Sequence, residues 1–274
     1  MPYAIKVTSG PVSLAEIEPR QDGGLTKKTA QPQLTELRDR LRVQQEALYA
    51  AQQRSVLILL QGTDTAGKGG TIEHVMSGLN PAGCHVIPFK KPTEIELAHD
   101  FLWRVHPHAP AKGMFAIFDR SYYEDVLIVR VHDLVPKSVW EKRYDHINAF
   151  ERLLIDSGTI VLKFFLHISR EEQEERLTAR EQEADKRWKI NPGDYEEREK
   201  WDDYRRAYEV MLERCASKDA PWYVVPSDRK WYRNLAVAET IVDTLGAHES
   251  EWRDALLERG RQSYEALQDL RSKT

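Results

Sequence analysis

Gly62-Thr63-Asp64-Thr65-Ala66-Gly67-Lys68-Gly69-Gly70-Thr71 stands directly after the apolar run Ser55 to Gln61 and directly before a helical pattern of Ile72, Val75, Met76 and Leu79. Strand, glycine-rich turn and helix in that order make a phosphate-binding loop. Glycines let backbone N–H groups ring a phosphate, the helix N-terminus adds positive potential, and a lysine, here Lys68, reaches the transferring group. Thr65, Ala66, Gly67, Gly69, Gly70 and Thr71 supply the rest of the cradle. One position departs from the usual pattern: Gly69 stands where a Ser or Thr hydroxyl would ligate Mg2+. Another group must then hold the metal. Asp64 inside the loop is one candidate, and Asp119 at the end of Phe115 to Phe118 is the second, because the metal-holding acid of phosphate-loop enzymes ends an apolar strand. Two such carboxylates can share one or two Mg2+ ions. Taken singly, Asp64 also reads as a turn-stabilising side chain and Asp119 as a helix cap.

Outward from the loop, short apolar runs alternate with longer amphipathic segments, which predicts an α/β fold with a parallel sheet. The strand candidates are Ser55 to Gln61, Cys84 to Phe89, Met114 to Phe118, Thr159 to Ile168 and Trp222 to Val225. All but one are near-continuously apolar, as strands covered on both faces are. Thr93/Glu96, Ser138/Glu141, Ser169/Glu172 and Asp194/Glu197 each place a capping oxygen three residues before a carboxylate and so predict helix starts. Leu34, Leu37, Leu41 and Leu48 share one face of a helix ahead of the first strand. The expected organisation is an irregular N-terminal arm over 1–32, a phosphotransferase domain over 33–246 with a lid at about 170–194, and a charged helix or tail over 247–274. That tail is expected to dock on the core or on another subunit.

Among 274 residues, 40 Lys+Arg against 44 Asp+Glu give a formal charge of -4, so affinity for a polyanion must come from a local basic patch. A nucleic-acid partner is not expected. No apolar run approaches the length of a membrane span and Met1 to Gly10 lacks a signal-like apolar stretch, so a soluble, cytoplasmic protein is expected. Cys84 and Cys215 suit reduced thiols, and His106 and His108 lack a third ligand. Arg120 follows Asp119 at the sheet edge where ligands bind in open α/β folds. Arg176 and Arg180 are four apart on a capped helix, with Lys186, Arg187 and Lys189 following: either a basic lid or a solvated helix paired with Glu172, Glu175 and Glu183. Lys90 and Lys91, and the cluster Asp228, Arg229, Lys230, Arg233 and Asn234, read equally as phosphate ligands or as solvated loops. Trp201, Tyr204, Tyr208 and Met211 recur at helical spacing and read as core.

The loop with its Asp64 and Gly69-Gly70, Lys91-Pro92-Thr93 with His99-Asp100-Phe101-Leu102-Trp103-Arg104, and Asp119-Arg120-Ser121-Tyr122-Tyr123-Glu124-Asp125 together resemble the polyphosphate kinase type 2 family. Trp188-Lys189-Ile190-Asn191-Pro192-Gly193-Asp194, Pro221 to Pro226 and Asp228 to Asn234 are similar to its later signatures, so the likeness runs from about Leu34 to Leu245. The resemblance implies a thymidylate-kinase-like P-loop kinase fold with a helical lid over a groove for inorganic polyphosphate. It implies Mg2+ on Asp64 and Asp119, with Lys68, Arg120 and Arg176 at the transferring phosphate. Lys91, Arg180, Lys186 and Lys189 would bind the chain, and Arg104 and Glu124 the nucleotide. The implied reaction moves the terminal phosphoryl group of polyphosphate to ADP and AMP, reversibly, in a homo-oligomer. Guanine nucleotides are a further candidate acceptor class. The rivals are an ATP-dependent small-molecule kinase and a nucleotide-dependent switch; the latter lacks both an Asn-Lys-x-Asp sequence and the Ser/Thr metal ligand.

Overall fold

The alternating pattern resolves, in a computed structural model that describes residues 3–273, into one six-stranded sheet between helical layers. In chain order the elements are β1 (Ile5–Val7), α1 (Lys27–Ala51), β2 (Ser55–Gln61), α2 (Lys68–Val75), β3 (Cys84–Pro88), α3 (Glu94–Leu97), β4 (Phe115–Asp119) and α4 (Ile128–Val131). They continue as α5 (Lys137–Asp156), β5 (Thr159–His167), α6 (Arg170–Gln182), α7 (Pro192–Glu199), α8 (Trp201–Arg214), β6 (Trp222–Pro226), α9 (Lys230–Gly246) and α10 (Glu249–Ser272). The strand order is β1-β6-β5-β2-β4-β3. All neighbours are parallel except β1, which runs antiparallel to β6.

Every residue of β2 is buried, which is why its sequence shows no polar alternation. The pleat divides its side chains between two cores. Val56, Ile58 and Leu60 pack with Leu41 and Leu48 of α1 and Leu235 and Ile241 of α9, while Leu57 and Leu59 pack with Tyr144 of α5 and Met211 of α8. Because β2, β4, β5 and β6 are parallel, their carboxyl ends deliver Gly62, Arg120, Ser169 and Ser227 to the same edge.

Several expectations are corrected. The arm is irregular over most of 8–26 but not at its start, where Ile5, Lys6 and Val7 pair with Val224, Tyr223 and Trp222, covering an edge that would otherwise expose unpaired backbone groups. Helix α1 begins at Lys27, because Thr26 accepts from the Thr29 N–H while Thr29 returns a bond to the Thr26 N–H. Strand β3 is the opposite edge and mostly exposed, not covered on both faces. Thr93 and Ser169 cap their helices as expected, accepting from the N–H groups of Glu96 and Glu172. Ser138 and Asp194 instead lie inside helices that start at Lys137 and Pro192, the latter capped by Asn191. The charged tail is helix α10. Its first turns dock through fully buried Trp252, and Arg259 donates to Ala50 O (2.6 Å) and Ala51 O (3.3 Å) at the end of α1. From residue 260 to 273 every residue is exposed. Among the described residues no helix is long and apolar enough to cross a membrane.

Candidate active site

The chain leaves β2 through Gly62, where a Cβ would stand 2.8 Å from Leu166 O, and enters α2 through Gly67 at φ +106°. Neither position admits a side chain without strain. Lys68 folds back over the loop, and its Nζ donates to Gly62 O (2.8 Å) and Thr63 O (3.2 Å). An ammonium has three donors, so one remains for a ligand. Burial, and then Arg120, hold the Lys68 pKa below its ordinary value against the opposing pull of Asp64, Asp119 and Glu124. Arg120, itself in the left-handed region (φ +64°), donates to Asp64 Oδ1 at 2.5 Å. Burial works against its charge, but Asp64 and Glu124 outweigh it and keep the guanidinium protonated. Glu124 is raised above the usual carboxylate range by burial, opposed by Arg120 and Lys68. Gln61 anchors it: the amide donates to Glu124 Oε1 (3.0 Å) and accepts from the Ser121 N–H (3.1 Å).

Among the cavities at this edge, two share Asp64 and Arg120. The larger, about 950 Å³, is lined by nine lysines and arginines against six carboxylates among the described residues, a local basic field in a chain of net charge -4. Asp64, Lys68, Gly69 and Asp119 lie on one wall, Lys91 on a second, and Arg180 and Lys189 of the lid on a third. The smaller cavity, about 230 Å³, has Glu124 at its floor and Trp201, Tyr204 and Tyr208 on its wall. Helical spacing identified that face of α8 correctly: Tyr208 and Met211 are buried in the core, Trp201 and Tyr204 are partly buried against it, and all but Met211 also border the cavity.

Other expected site residues are engaged within the protein, Arg176 and Arg180 among them while also lining the groove. Arg176 was expected at the transferring phosphate, yet all five of its donors are committed: Nε to Glu172 (2.8 Å), Nη1 to Thr65 O and Ala66 O, and Nη2 to Ser227 O and Asp228 O. It clamps the back of the loop. Ala66 is fully buried and offers its carbonyl to that clamp, and Thr71 Oγ1 donates to Gly67 O (3.1 Å) inside α2, so neither side chain faces a ligand. Arg104 lines neither cavity; it donates to Lys90 O (2.9 Å), pairs with Glu96 (3.3 Å) and covers the Phe89 ring, bracing the Lys90–Lys91 loop. The side chain of Lys186 lies outside the described residues. Asn191 caps α7 and Pro192 opens it, and Arg180 ties α6 to Asp194 (2.9 Å) and Lys189 O (3.3 Å). Sequence reasoning missed Gln173, whose amide donates to Asp64 O (3.1 Å), and left Arg233 undecided.

A phosphate cradle at the carboxyl edge of a mostly parallel sheet, faced by a basic helical lid, defines a P-loop kinase. Within that class the chain belongs to the polyphosphate kinase 2 family, whose family model matches residues 24–253. It is 52% identical over 224 residues to the AMP/ADP-polyphosphate phosphotransferase of Meiothermus ruber, covering 82% of this chain and 83% of that one. It is 47% identical over 219 residues to the ADP-polyphosphate phosphotransferase of Rhodopseudomonas palustris, covering 76% of each. The crystal structure of polyphosphate kinase 2 from Arthrobacter aurescens superposes with a TM-score of 0.85 at 44% identity, over 88% of this chain and 87% of that one. The chain is therefore an enzyme, a polyphosphate-dependent nucleotide phosphotransferase, and the rival readings are not favoured.

Proposed function

We propose that this enzyme transfers the terminal phosphoryl group of inorganic polyphosphate to ADP and to AMP, reversibly and with Mg2+. One observation carries the reading: a long basic groove and a small aromatic-walled pocket meet at Asp64 and Arg120. The groove suits a flexible polyanion, and the pocket suits a nucleoside whose phosphates point to the shared wall. Likeness to relatives named for AMP and ADP supports both acceptors. The attacking group is already an anionic phosphate oxygen, so no general base is needed and the task is alignment and charge cancellation. Two unit charges ~4 Å apart repel by about 4 kcal/mol at an effective dielectric of ~20. Lys68 and Arg120 stand where that repulsion is greatest.

The residues present fit Mg2+. Asp64 and Asp119 both line the groove, and among the described residues no cluster of three or more His, Cys, Asp or Glu offers an all-protein cage. Mg2+ takes one or two carboxylates and completes its shell with water and phosphate oxygens. Thr63 Oγ1 and Thr65 Oγ1, buried beside Asp64 without hydrogen-bond partners, are oriented polar atoms that such a shell would engage. When bound, the ion would neutralise charge on the phosphates. Self-association belongs to the same proposal, supported by the exposed Tyr264, Leu267 and Leu270 of α10; guanine nucleotides are further acceptors to assay.

The test is a donor swap: protein with Mg2+ and AMP or ADP is given polyphosphate or ATP, and nucleotides are resolved by chromatography. Polyphosphate should yield ADP from AMP and ATP from ADP. No product from polyphosphate, with ATP consumed when a metabolite is added, would overturn the reading.

A further inference from the structure

Arg233 lies in the first turn of α9, and its side chain is buried, with the residue 2% exposed. No carboxylate pairs with it among the described residues. Its Nε and Nη2 donate to the neutral Asn234 Oδ1 at 3.1 and 2.8 Å, and Nη1 reaches only Ala66 O at 3.4 Å. Two other cations packed into the protein are paired, Lys163 with Glu151 at 2.6 Å and Arg176 with Glu172 at 2.8 Å; among the described residues the buried cation that shares the want of a carboxylate is Lys68, the lysine of the phosphate loop itself. A buried cation without a partner is expensive to keep, and proteins seldom retain one without use. Burial, and then the neighbouring Arg176, push the Arg233 pKa down to about 9.

The position of this cation says what it is for. A Cβ on Gly67 would stand 1.7 Å from Arg233 Nη1, and one on Gly70 3.2 Å from Nη2, so the guanidinium occupies the space that two loop glycines leave beside the first turn of α2. That turn presents the backbone N–H groups that cradle a phosphate. Of the five guanidinium donors, three are engaged and one on each terminal nitrogen is not. Arg233 lines the large basic groove and not the aromatic-walled pocket.

We propose that Arg233 is a phosphate-binding residue of the polyphosphate donor, bonding through its terminal nitrogens to the phosphate seated on Gly67–Gly70 and taking its missing counter-charge from the substrate. This deepens the polyphosphate reading and rests on it. It also assigns the glycine at 67 a second purpose, since any side chain there would evict the guanidinium. In the free enzyme Arg233 is a destabilising charge, and in the complex it is a paired one.

The experiment compares wild-type protein with Arg233→Met and Arg233→Lys. Polyphosphate of defined length is titrated calorimetrically over a series of KCl concentrations, with steady-state kinetics for both substrates and melting with and without polyphosphate. The proposal expects Arg233→Met to raise the polyphosphate KM about tenfold or more, as loss of a charge-assisted bond does. The slope of log affinity against log salt should become shallower by about 0.7 to 0.9 for the one charge removed. The nucleotide KM should stay within about twofold, the unliganded melting temperature should hold or rise, and Arg233→Lys should restore the salt slope. A merely structural arginine would behave differently, lowering the melting temperature of Arg233→Met while leaving the salt slope at the wild-type value, and that result overturns the proposal. So does an Arg233→Lys protein that is folded but keeps the shallow slope. Wild-type protein that neither binds nor uses polyphosphate would sink the donor reading together with this one.

Discussion

Behind Gly62–Thr71 the groove wall is made of buried groups joined to backbone: Lys68 to two carbonyls, Arg176 to four more, and Gln173 to a seventh. Across the groove, the segment 184–199, which follows α6 and takes in α7, has one buried side chain among those described, Asp194, and Trp188 is 79% exposed. Its ties run mostly between side chains: Arg180 with Asp194, His132 with Glu197 at 2.9 Å, Tyr195 with Glu181, and Arg198 with Glu174 at 2.6 Å, Gln173 at 3.2 Å and Arg170 O at 2.6 Å. The two walls face one substrate with opposite investments. Where the phosphoryl group moves, groups must be in place beforehand, because reorganisation at the moment of transfer would add to the barrier. Where a polymer must slide in and out, a wall of low intrinsic stability is suitable, and the polyanion itself supplies the ordering.

The largest effect that this contrast predicts is on the rigid wall. Lys68→Met should lower kcat by about 10²- to 10³-fold, in the range for losing one preorganised donor, with the melting temperature held because a desolvated charge is also removed. Steady-state rates with saturating polyphosphate and ADP check it; a protein retaining a third of its rate would show that the cradle does not carry the chemistry. Next is Arg176→Met, which takes a donor from four carbonyls, of which, among the described residues, Ala66 O alone keeps another, Arg233. It should lower stability by about 2 to 3 kcal/mol and kcat by about tenfold, seen by denaturant unfolding alongside kinetics. Unchanged stability would mean that the loop holds its shape without the clamp. Asp194→Asn, on the lid, should raise the polyphosphate KM by no more than about fivefold and leave kcat within about twofold, because the partly exposed pair with Arg180 contributes at most ~1 kcal/mol. The difference should shrink as salt is added. A large loss of kcat here would erase the distinction between the walls.

How much of this was legible in the sequence follows from how local each signal is. The phosphate loop, the strands β2 and β5 and the caps at Thr93 and Ser169 depend on neighbours within a few residues, and they stand where the residues indicated. Strand β1 has three residues, too few to show a period, and exists because β6 offers it an edge. Arg176 and Arg233 could not be ranked: both are cations near one sheet edge, and only the packing of α6 and α9 against the loop decides that one commits every donor, four of them to carbonyls and one to Glu172, while the other lies against glycine. Arg104 failed for the same reason, since its motif says that it is near the site and not which way it faces. Trp201 and Tyr204 show a further limit. Helical spacing assigns a face, but a core and a cavity wall both call for aromatic residues.

The smallest predicted effect tests how complete the rigid wall is. Gly69 occupies the position of the usual metal-binding hydroxyl, yet a Cβ there would meet nothing within 4 Å, and its φ is not in the left-handed region. No steric demand keeps the hydroxyl out. Gly69 is the second residue of α2, where serine has the better helix propensity, so Gly69→Ser should gain a few tenths of a kcal/mol in stability. If Asp64 and Asp119 already meet the need for protein ligands, the added hydroxyl has nothing to complete, and kcat and the Mg2+ concentration for half-maximal rate should both stay within about twofold. A Mg2+ requirement falling tenfold would say the reverse: that this wall is left one ligand short, and that the family's loop trades metal affinity for room at the phosphate.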